Sequence, residues 1–356
     1  MIDAVFAVPG DITRPTGGYA YARKVLDLLP NYGVNVQLLQ LPSSFPYPDS
    51  QDIDATRRAF AQLRPDTPVL VDGLAYGAMP PLLVKQITQP IVAMVHHPLA
   101  YETGITPADK RKLIAFEMHA LEQAEKVIAT SKTTAELLQY EYGVPDSKLT
   151  VAEPGTMPAE RAQGCGKTLQ LLSVGAVIKR KGYTFLIDAL SHIRHRDWQL
   201  TIAGATAHDP IYTNEVRKAI LQSGLRSQIE LTGAISDDAL HALFSKADLF
   251  VMPSLFEGYG MVLTEAVARG LPIVCTTGGA MAETVPNEVA IKVPPGNSAA
   301  LAKALDLLLN DSDQRKSLSD KAWAYGHKLP SWENCIGSIS DVLKALTVQP
   351  DIKVPS

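Results

Sequence analysis

The chain has 356 residues, 46% of them hydrophobic and 20% charged, with a formal net charge of −4. That length suits two domains, and the composition is that of a globular protein able to bury two cores. The slight acidity removes an electrostatic basis for binding nucleic acid, and no apolar run reaches the ~20 residues needed to span a bilayer. The N-terminus, MIDAVFAVPGD, lacks the basic region and cleavage site of a signal peptide and reads as a first buried strand. Cys165, Cys275 and Cys335 lie far apart, without pairing or metal-ligand spacing, which predicts reduced thiols and a cytoplasmic location.

In chain order, short apolar runs alternate with helical patterns, the signature of parallel sheets covered by helices. The first half predicts strands at Ala4–Val8, Val34–Leu39, Val69–Val71, Ile91–Val95, Lys126–Ala129 and Leu149–Val151, with helices at Tyr19–Leu29, Asp54–Leu63 and Ala108–Ala124. After Pro154 the chain turns small and polar, PGTMPAERAQGCGK, as a linker does. A second set follows, with strands at Leu169–Val174, Gln199–Ala203, Ile229–Thr232, Leu249–Met252, Pro272–Cys275 and Ala290–Lys292. Its helices are predicted at Tyr183–Ser191, Ile211–Ser223, Asp237–Lys246 and Ser298–Leu309, and a last helix carries Trp332. Two doubly wound α/β domains in tandem result, with ligand expected at the carboxyl ends of the strands. GCGKT (164–168) is not the end of a P-loop: Arg161 stands where that motif needs glycine, and the segment precedes a strand instead of following one.

The most informative stretch is VMPSLFEGYGMVLTEAVARGLP (251–272). An apolar strand ends in a Pro-Ser turn, and Glu257 with Gly258-Tyr259-Gly260 opens a helix that carries Glu265. Glycines allow close approach of a ligand to the backbone, and a helix start attracts phosphate. Two carboxylates beside an anion site suit a polyol that carries a phosphate. Upstream, Lys179, Arg180 and Lys181 crowd a strand-to-helix turn, where a diphosphate leaving group needs positive charge. In the first half, Gly17-Gly18 precede a helix, and His96 and His97 follow the fourth strand.

This Glu-x7-Glu arrangement resembles that of retaining glycosyltransferases of the GT-B fold, family four (glycosyl transferases group 1). The resemblance implies two tandem Rossmann-like domains with a C-terminal helix crossing back to the first. It divides the chain into an acceptor-side domain (1–155), a linker (156–168), a nucleotide-sugar domain (169–330) and a terminal helix (331–350). It implies that Glu257 bonds the transferred sugar near its anomeric carbon and that Glu265 binds the ribose. Backbone N–H groups of Gly258, Tyr259, Gly260 and Met261 would hold the sugar and the distal phosphate, and Ile235 would pack the base. Gly17 and Gly18 would close over the donor, and His96 or His97 would bond its sugar, register favouring His96. Lys181-Gly182 matches the family's Lys-Gly pair, but Ala176 stands where the family has arginine. Either Arg180 reaches in from the far side of the turn, or the diphosphate has one cation fewer.

The implied activity is retaining transfer of a hexose from a UDP- or GDP-sugar to a hydroxyl of a glycan, lipid-linked or small-molecule acceptor. Leaving-group charge would be met by Arg180, Lys181 and helix N–H groups, so neither a metal nor a cofactor is expected, the nucleotide sugar being a substrate. The alternatives are a sugar-nucleotide epimerase and a non-catalytic sugar-nucleotide binder. Lys110, Arg111 and Lys112 precede the apolar stripe Leu113, Ile114, Phe116 and Leu121. That helix suits either peripheral docking at the inner face of an anionic membrane or packing into the core.

Overall fold

The computed structural model describes residues 1–164, 166, 168–193 and 197–347. Cys165 and Lys167 of the expected linker and residues 348–350 of the expected terminal segment lie outside the described residues. The chain divides into two compact units: Gly155–Ser331, and a unit joining Met1–Pro154 to the segment that begins at Trp332.

The first unit holds a six-stranded parallel sheet in the order β2-β1-β3-β4-β5-β6. Its strands are β1 (Ile2–Pro9), β2 (Val34–Leu41), β3 (Val69–Asp72), β4 (Ile91–Val95), β5 (Lys126–Ala129) and β6 (Leu149–Val151). The central strands are covered on both faces, so they read as unbroken apolar runs: Val69–Asp72 and Ile91–Val95 are buried throughout. The longer helices of this part of the chain are α1 (Gly17–Leu28), α2 (Ser50–Ala61), α3 (Pro107–Gln123) and α4 (Lys132–Tyr142). Local chemistry sets their starts: Thr16, Asp49, Thr106 and Ser131 each accept an N–H of the first turn, satisfying donors the helix itself cannot.

The second unit repeats the plan with the strand order β12-β11-β10-β7-β8-β9, again parallel. The strands are β7 (Leu169–Val174), β8 (Trp198–Ala203), β9 (Ile229–Gly233), β10 (Leu249–Met252), β11 (Ile273–Thr276) and β12 (Ala290–Val293). Its helices are α5 (Tyr183–Ser191), α6 (Pro210–Gln222), α7 (Asp237–Lys246), α8 (Met261–Ala268), α9 (Ser298–Asn310) and α10 (Ser312–Gly326).

The last helix, α11 (Trp332–Ala345), belongs to the first unit, as expected of a terminal helix that crosses back. It buries Trp332, Ile336, Ile339 and Leu343 there. The Tyr21 hydroxyl, from α1, lies 3.1 Å from Cys335 Sγ and donates to the carbonyl of Ala152 at 3.0 Å. Ser340 Oγ donates to the carbonyl of Tyr32.

All twelve expected strands form, with ends shifted by two residues at most. Among the described residues, the longer helices α10 and α4 go unannounced by the sequence, as do the short ones at Gly73–Tyr76, Pro81–Val84 and Met281–Thr284. Helix α10 buries only Leu318 and Ala322, too few apolar positions to set a period. Helix α4 is masked by its Thr-Thr start, since β-branched residues favour strands. In the segment expected as a linker, Thr156 N donates to Pro330 O, Ala162 N to Arg269 O and Gln163 N to Ser245 O, so these three N–H groups are paired within the second unit.

Candidate active site

In each sheet the chain runs outward from a central strand, then returns to that strand's other side, and functional groups gather at the carboxyl ends there. In the second unit the reversal lies between β7 and β10. Strand β7 leads through Gly175 into the turn Lys179–Lys181, and β10 leads through Pro253 and Ser254 to Glu257. The two loops are tied together: Leu255 N donates to the carbonyl of Arg180 at 2.7 Å. Gly182 ends the basic turn at φ +67°, and a Cβ there would lie 2.3 Å from the carbonyl oxygen of Pro253, so only glycine fits.

This packing aims both cations at one carboxylate. Arg180 Nη1 lies 2.9 Å from Glu257 Oε2, and Lys181 Nζ lies 2.7 Å from Oε1. Arg180 also donates to the carbonyl of Phe256. Across the turn from Ala176, the Arg180 side chain thus points towards Glu257 and the loop after β10. Burial opposes ionisation of Glu257, but Arg180, Lys181 and a hydrogen bond from Ser254 outweigh it and hold the carboxyl down at about 2. The group is therefore a fixed anion, with the two cations bound to it.

The backbone beneath Glu257 is pinned by the Gly278-Gly279 loop. Glu257 N donates to Gly278 O, and Ala280 N donates to Glu257 O. Gly279 has φ +64°, and a Cβ would approach the Glu257 carbonyl oxygen to 2.4 Å. Gly258, Tyr259 and Gly260 are buried, and Met261 is half-buried. Helix α8 has Gly260 as its N-cap and no side-chain cap, so its first turn can offer N–H groups and dipole to an anion. Glu265 lies one turn further along, its carboxyl raised by burial and partly restrained by Arg269. Ile235 is half-buried directly before Ser236, the N-cap of α7.

The first unit has its own cluster at its reversal, where β1, β3 and β4 end. Gly17 and Gly18 form the first turn of α1 instead of preceding it, because Thr16 caps the helix by accepting from Tyr19 N. A Cβ on Gly18 would lie 3.7 Å from His96 Nε2, so the glycine turn and His96 are neighbours. The His96 ring meets Tyr21 edge-on at 5.4 Å, and Nε2 lies 3.6 Å from Asp72 Oδ2. His97 instead faces Glu102, at 3.6 Å, and is less closely tied to the glycines.

Asp72 is a functional candidate that sequence reasoning missed. Its other oxygen accepts Leu74 N at 2.8 Å and so caps a short helical turn. The signal was present as Asp-Gly directly after the apolar run Val69–Val71, the place where a strand end delivers its side chain. Ser254 was missed as well, being read only as part of a turn. On α3 the inner face is Leu113, Glu117, Ala120 and Leu121, all in the core.

Among the described residues, no group of three or more His, Cys, Asp or Glu is placed to hold a metal ion. Nor is any helix among them long and apolar enough to cross a membrane.

Comparison with known proteins bears on both units. The profile "Glycosyl transferases group 1" matches residues 161–324, and "Glycosyltransferase Family 4" matches residues 13–159. The chain is 25% identical over 308 residues to the MMP alpha-(1->4)-mannosyltransferase of Mycolicibacterium hassiacum, covering 82% of this chain and 74% of that one. Across such curated relatives the chain spans between 42% and 74% of their length. In fold it resembles sucrose-phosphate synthase from Thermosynechococcus elongatus, with a TM-score of 0.81 at 20% identity over 96% of this chain and 99% of that one. It also resembles Anabaena HepE in complex with UDP-glucose, with a TM-score of 0.74 at 16% identity over 96% and 99%.

Proposed function

The chain belongs to the family-four, group 1 glycosyltransferases of the GT-B fold, and from that premise we propose that it is a retaining hexosyltransferase. Its donor is a nucleotide-diphosphate sugar, UDP- or GDP-linked, and its acceptor is a hydroxyl of a glycan, lipid-linked or small molecule. The observation that carries this reading is the convergence of Arg180 and Lys181 on Glu257, beside the uncapped start of α8. The HepE complex with UDP-glucose supports the choice of donor class. The mannosyltransferase relative supports a hexose and a role in glycan or cell-envelope assembly.

Transfer breaks the bond between the anomeric carbon and the diphosphate, leaving extra negative charge on the phosphate. Lys181, Arg180 and the first N–H groups of α8 meet that charge as it develops, the preorganised form of stabilisation that contributes most in enzymes. These groups do the work that a divalent cation does elsewhere, so the reaction runs without one. Glu257, ionised at any physiological pH, orients the sugar and supports its positive character. Retention follows from attack on the same face, with the departing phosphate taking the acceptor's proton. His96 contacts a sugar hydroxyl beside the reacting carbon, Gly17 and Gly18 face the phosphates, Glu265 holds the ribose, and Ile235 packs the base.

The test is incubation of the full chain with UDP- and GDP-hexoses and a panel of acceptors, with product anomeric configuration read by NMR. Inverted product, or no turnover and no hydrolysis of any nucleotide sugar, overturns the reading. An epimeric sugar nucleotide would turn it to the isomerase alternative.

A further inference from the structure

Glu117 is a carboxyl in the core of the first unit, and among the described residues no cation acts on it. It projects from α3, is 1% exposed, and accepts the backbone N–H of Leu99 through Oε2 at 3.0 Å. Leu99 lies three residues beyond His96, in the segment that leaves β4, and both Leu99 and Ala100 are buried. A methyl group on Gly77 would lie 3.1 Å from Oε1, so the carboxyl is packed from that side as well. The His96 carbonyl is held from β5 and α4 by the hydroxyls of Thr130 and Thr134, at 3.2 and 3.3 Å. Two residues after Leu99, the Tyr101 hydroxyl donates to Glu141 on α4. Glu117 is the attachment between these two, and it lies inside the core.

We propose that Glu117 is a positioning residue for His96, fixing through Leu99 the path of the backbone that carries the imidazole. This rests on the reading that His96 contacts the donor sugar. The geometry is selective because a carboxyl needs little in that place except one acceptor oxygen. An alanine leaves the Leu99 amide buried and unpaired. A glutamine retains the acceptor at the same length.

The protonation state gives the anchor a pH dependence. Burial raises Glu117 to about 8, against the lowering effect of the Leu99 amide and the Tyr142 hydroxyl. The groups facing it are the Leu99 amide from the loop, Gly77 from the turn after β3, and Tyr142 from α4, with Tyr101 and Glu141 beyond Tyr142. None is a cation. The folded acid binds its proton more tightly than the exposed one, so its contribution is complete below the ordinary glutamate range. It declines as pH rises and is lost by about 8.

The test uses the full chain and two readouts. Amide hydrogen exchange followed by NMR gives the protection factor of Leu99 without any substrate. If opening releases Glu117, wild-type protection falls by up to about tenfold per pH unit between about pH 6 and 8 and flattens above. Glu117→Gln should keep its protection independent of pH, and Glu117→Ala should be poorly protected throughout. Transfer kinetics supply the second readout: Glu117→Ala lowers kcat about tenfold or more, Glu117→Gln restores it, and the restored variant loses the alkaline decline.

Wild-type protection that does not change with pH, or a glutamine variant no better than alanine, overturns the proposal. Should the alanine variant not fold, the wild-type and glutamine pH series still decide. The expected exchange pattern with undiminished turnover in Glu117→Ala overturns the link to His96. Absence of transfer by wild type with every donor overturns the underlying functional reading instead, and the exchange data then judge the anchor by itself.

Discussion

Arg180 and Glu257 form a buried ion pair of 2.9 Å whose partners come from different loops, one after β7 and one after β10. With Lys181 at 2.7 Å from the other oxygen, the carboxylate cancels one of two positive charges. The site is thus less basic than its sequence suggests. Glu257→Gln removes the anion and releases both cations, so nucleoside-diphosphate affinity should hold or rise. Turnover at saturating donor should fall by more than about tenfold, because the support for developing charge is gone. Calorimetry with UDP and GDP and steady-state kinetics check the two halves. Parallel loss of binding and turnover would contradict the division of roles.

Lys181→Ala acts in the opposite sense. It leaves the buried Glu257 carboxylate with Arg180 alone, and breaking a buried pair costs about 3–5 kcal/mol where the remaining charge is uncompensated. Here Arg180 still compensates, so the cost in stability should fall below that range. Diphosphate affinity should drop by about tenfold or more as a leaving-group contact is lost. Chemical denaturation and titration calorimetry measure these separately, and unchanged affinity for UDP and GDP would exclude Lys181 from the phosphate site.

The same pair predicts an acid limb in stability. Glu257 is depressed from the ordinary carboxylate range to about 2, so the folded form binds its proton less readily than the unfolded form. Its contribution is present above the unfolded value of about 4.5 and is lost as pH falls towards 2. Thermal melts between about pH 5 and 2.5 should show a steeper decline for wild type than for Glu257→Gln, which cannot titrate. Equal slopes would show that the cations do not hold the carboxyl down.

The strands were legible because parallel sheets buried on both faces need continuous apolar runs, and runs such as Ile91–Val95 and Leu249–Met252 have polar or Pro-Ser boundaries. Close backbone packing demands glycine, as at Gly182 and Gly279, and of these Gly182 left a readable mark in the Lys-Gly pair after the basic turn. The pairing of Arg180 with Glu257 was not legible. It depends on two loops 76 residues apart meeting at one sheet edge, with the Arg180 guanidinium bonded to Phe256 O. Asp72 had a signal, the Asp-Gly after an apolar run, but nothing in sequence pairs it with His96; Glu117 is a single carboxylate inside a helix pattern, where sequence alone does not reveal burial or a neighbour.

Gly279 tests how far the second unit depends on the loop under Glu257. Its φ of +64° is a region that costs an L-residue about 1–2 kcal/mol. The clash of a Cβ with the Glu257 carbonyl, at 2.4 Å, adds to this, because the oxygen belongs to backbone pinned by Ala280 N. Gly279→Ala should therefore destabilise by about 2 kcal/mol or more, a fall in Tm of about 4 °C or more. Activity should fall further than stability explains, since the displaced group carries Glu257. A variant with wild-type Tm would show that this loop yields without strain.

Tyr21 is where the terminal helix and His96 meet. Its ring contacts His96 edge-on at 5.4 Å and Trp332 at 5.5 Å, and its hydroxyl joins Ala152 O and Cys335 Sγ. Tyr21→Phe keeps both ring contacts and removes one buried donor, leaving the Ala152 carbonyl with the weak Cys335 thiol donor alone, so it should cost about 1 kcal/mol. Turnover per folded molecule should be unchanged, because the edge that supports His96 remains. Tyr21→Ala deletes the ring as well and should cost about 3–5 kcal/mol. It should also lower kcat, since His96 loses a wall and α11 loses the contact of Trp332. Denaturant titration with kinetics on the folded fraction distinguishes the two variants. If phenylalanine impairs turnover as severely as alanine, the hydroxyl and not the ring is what orders this part of the unit.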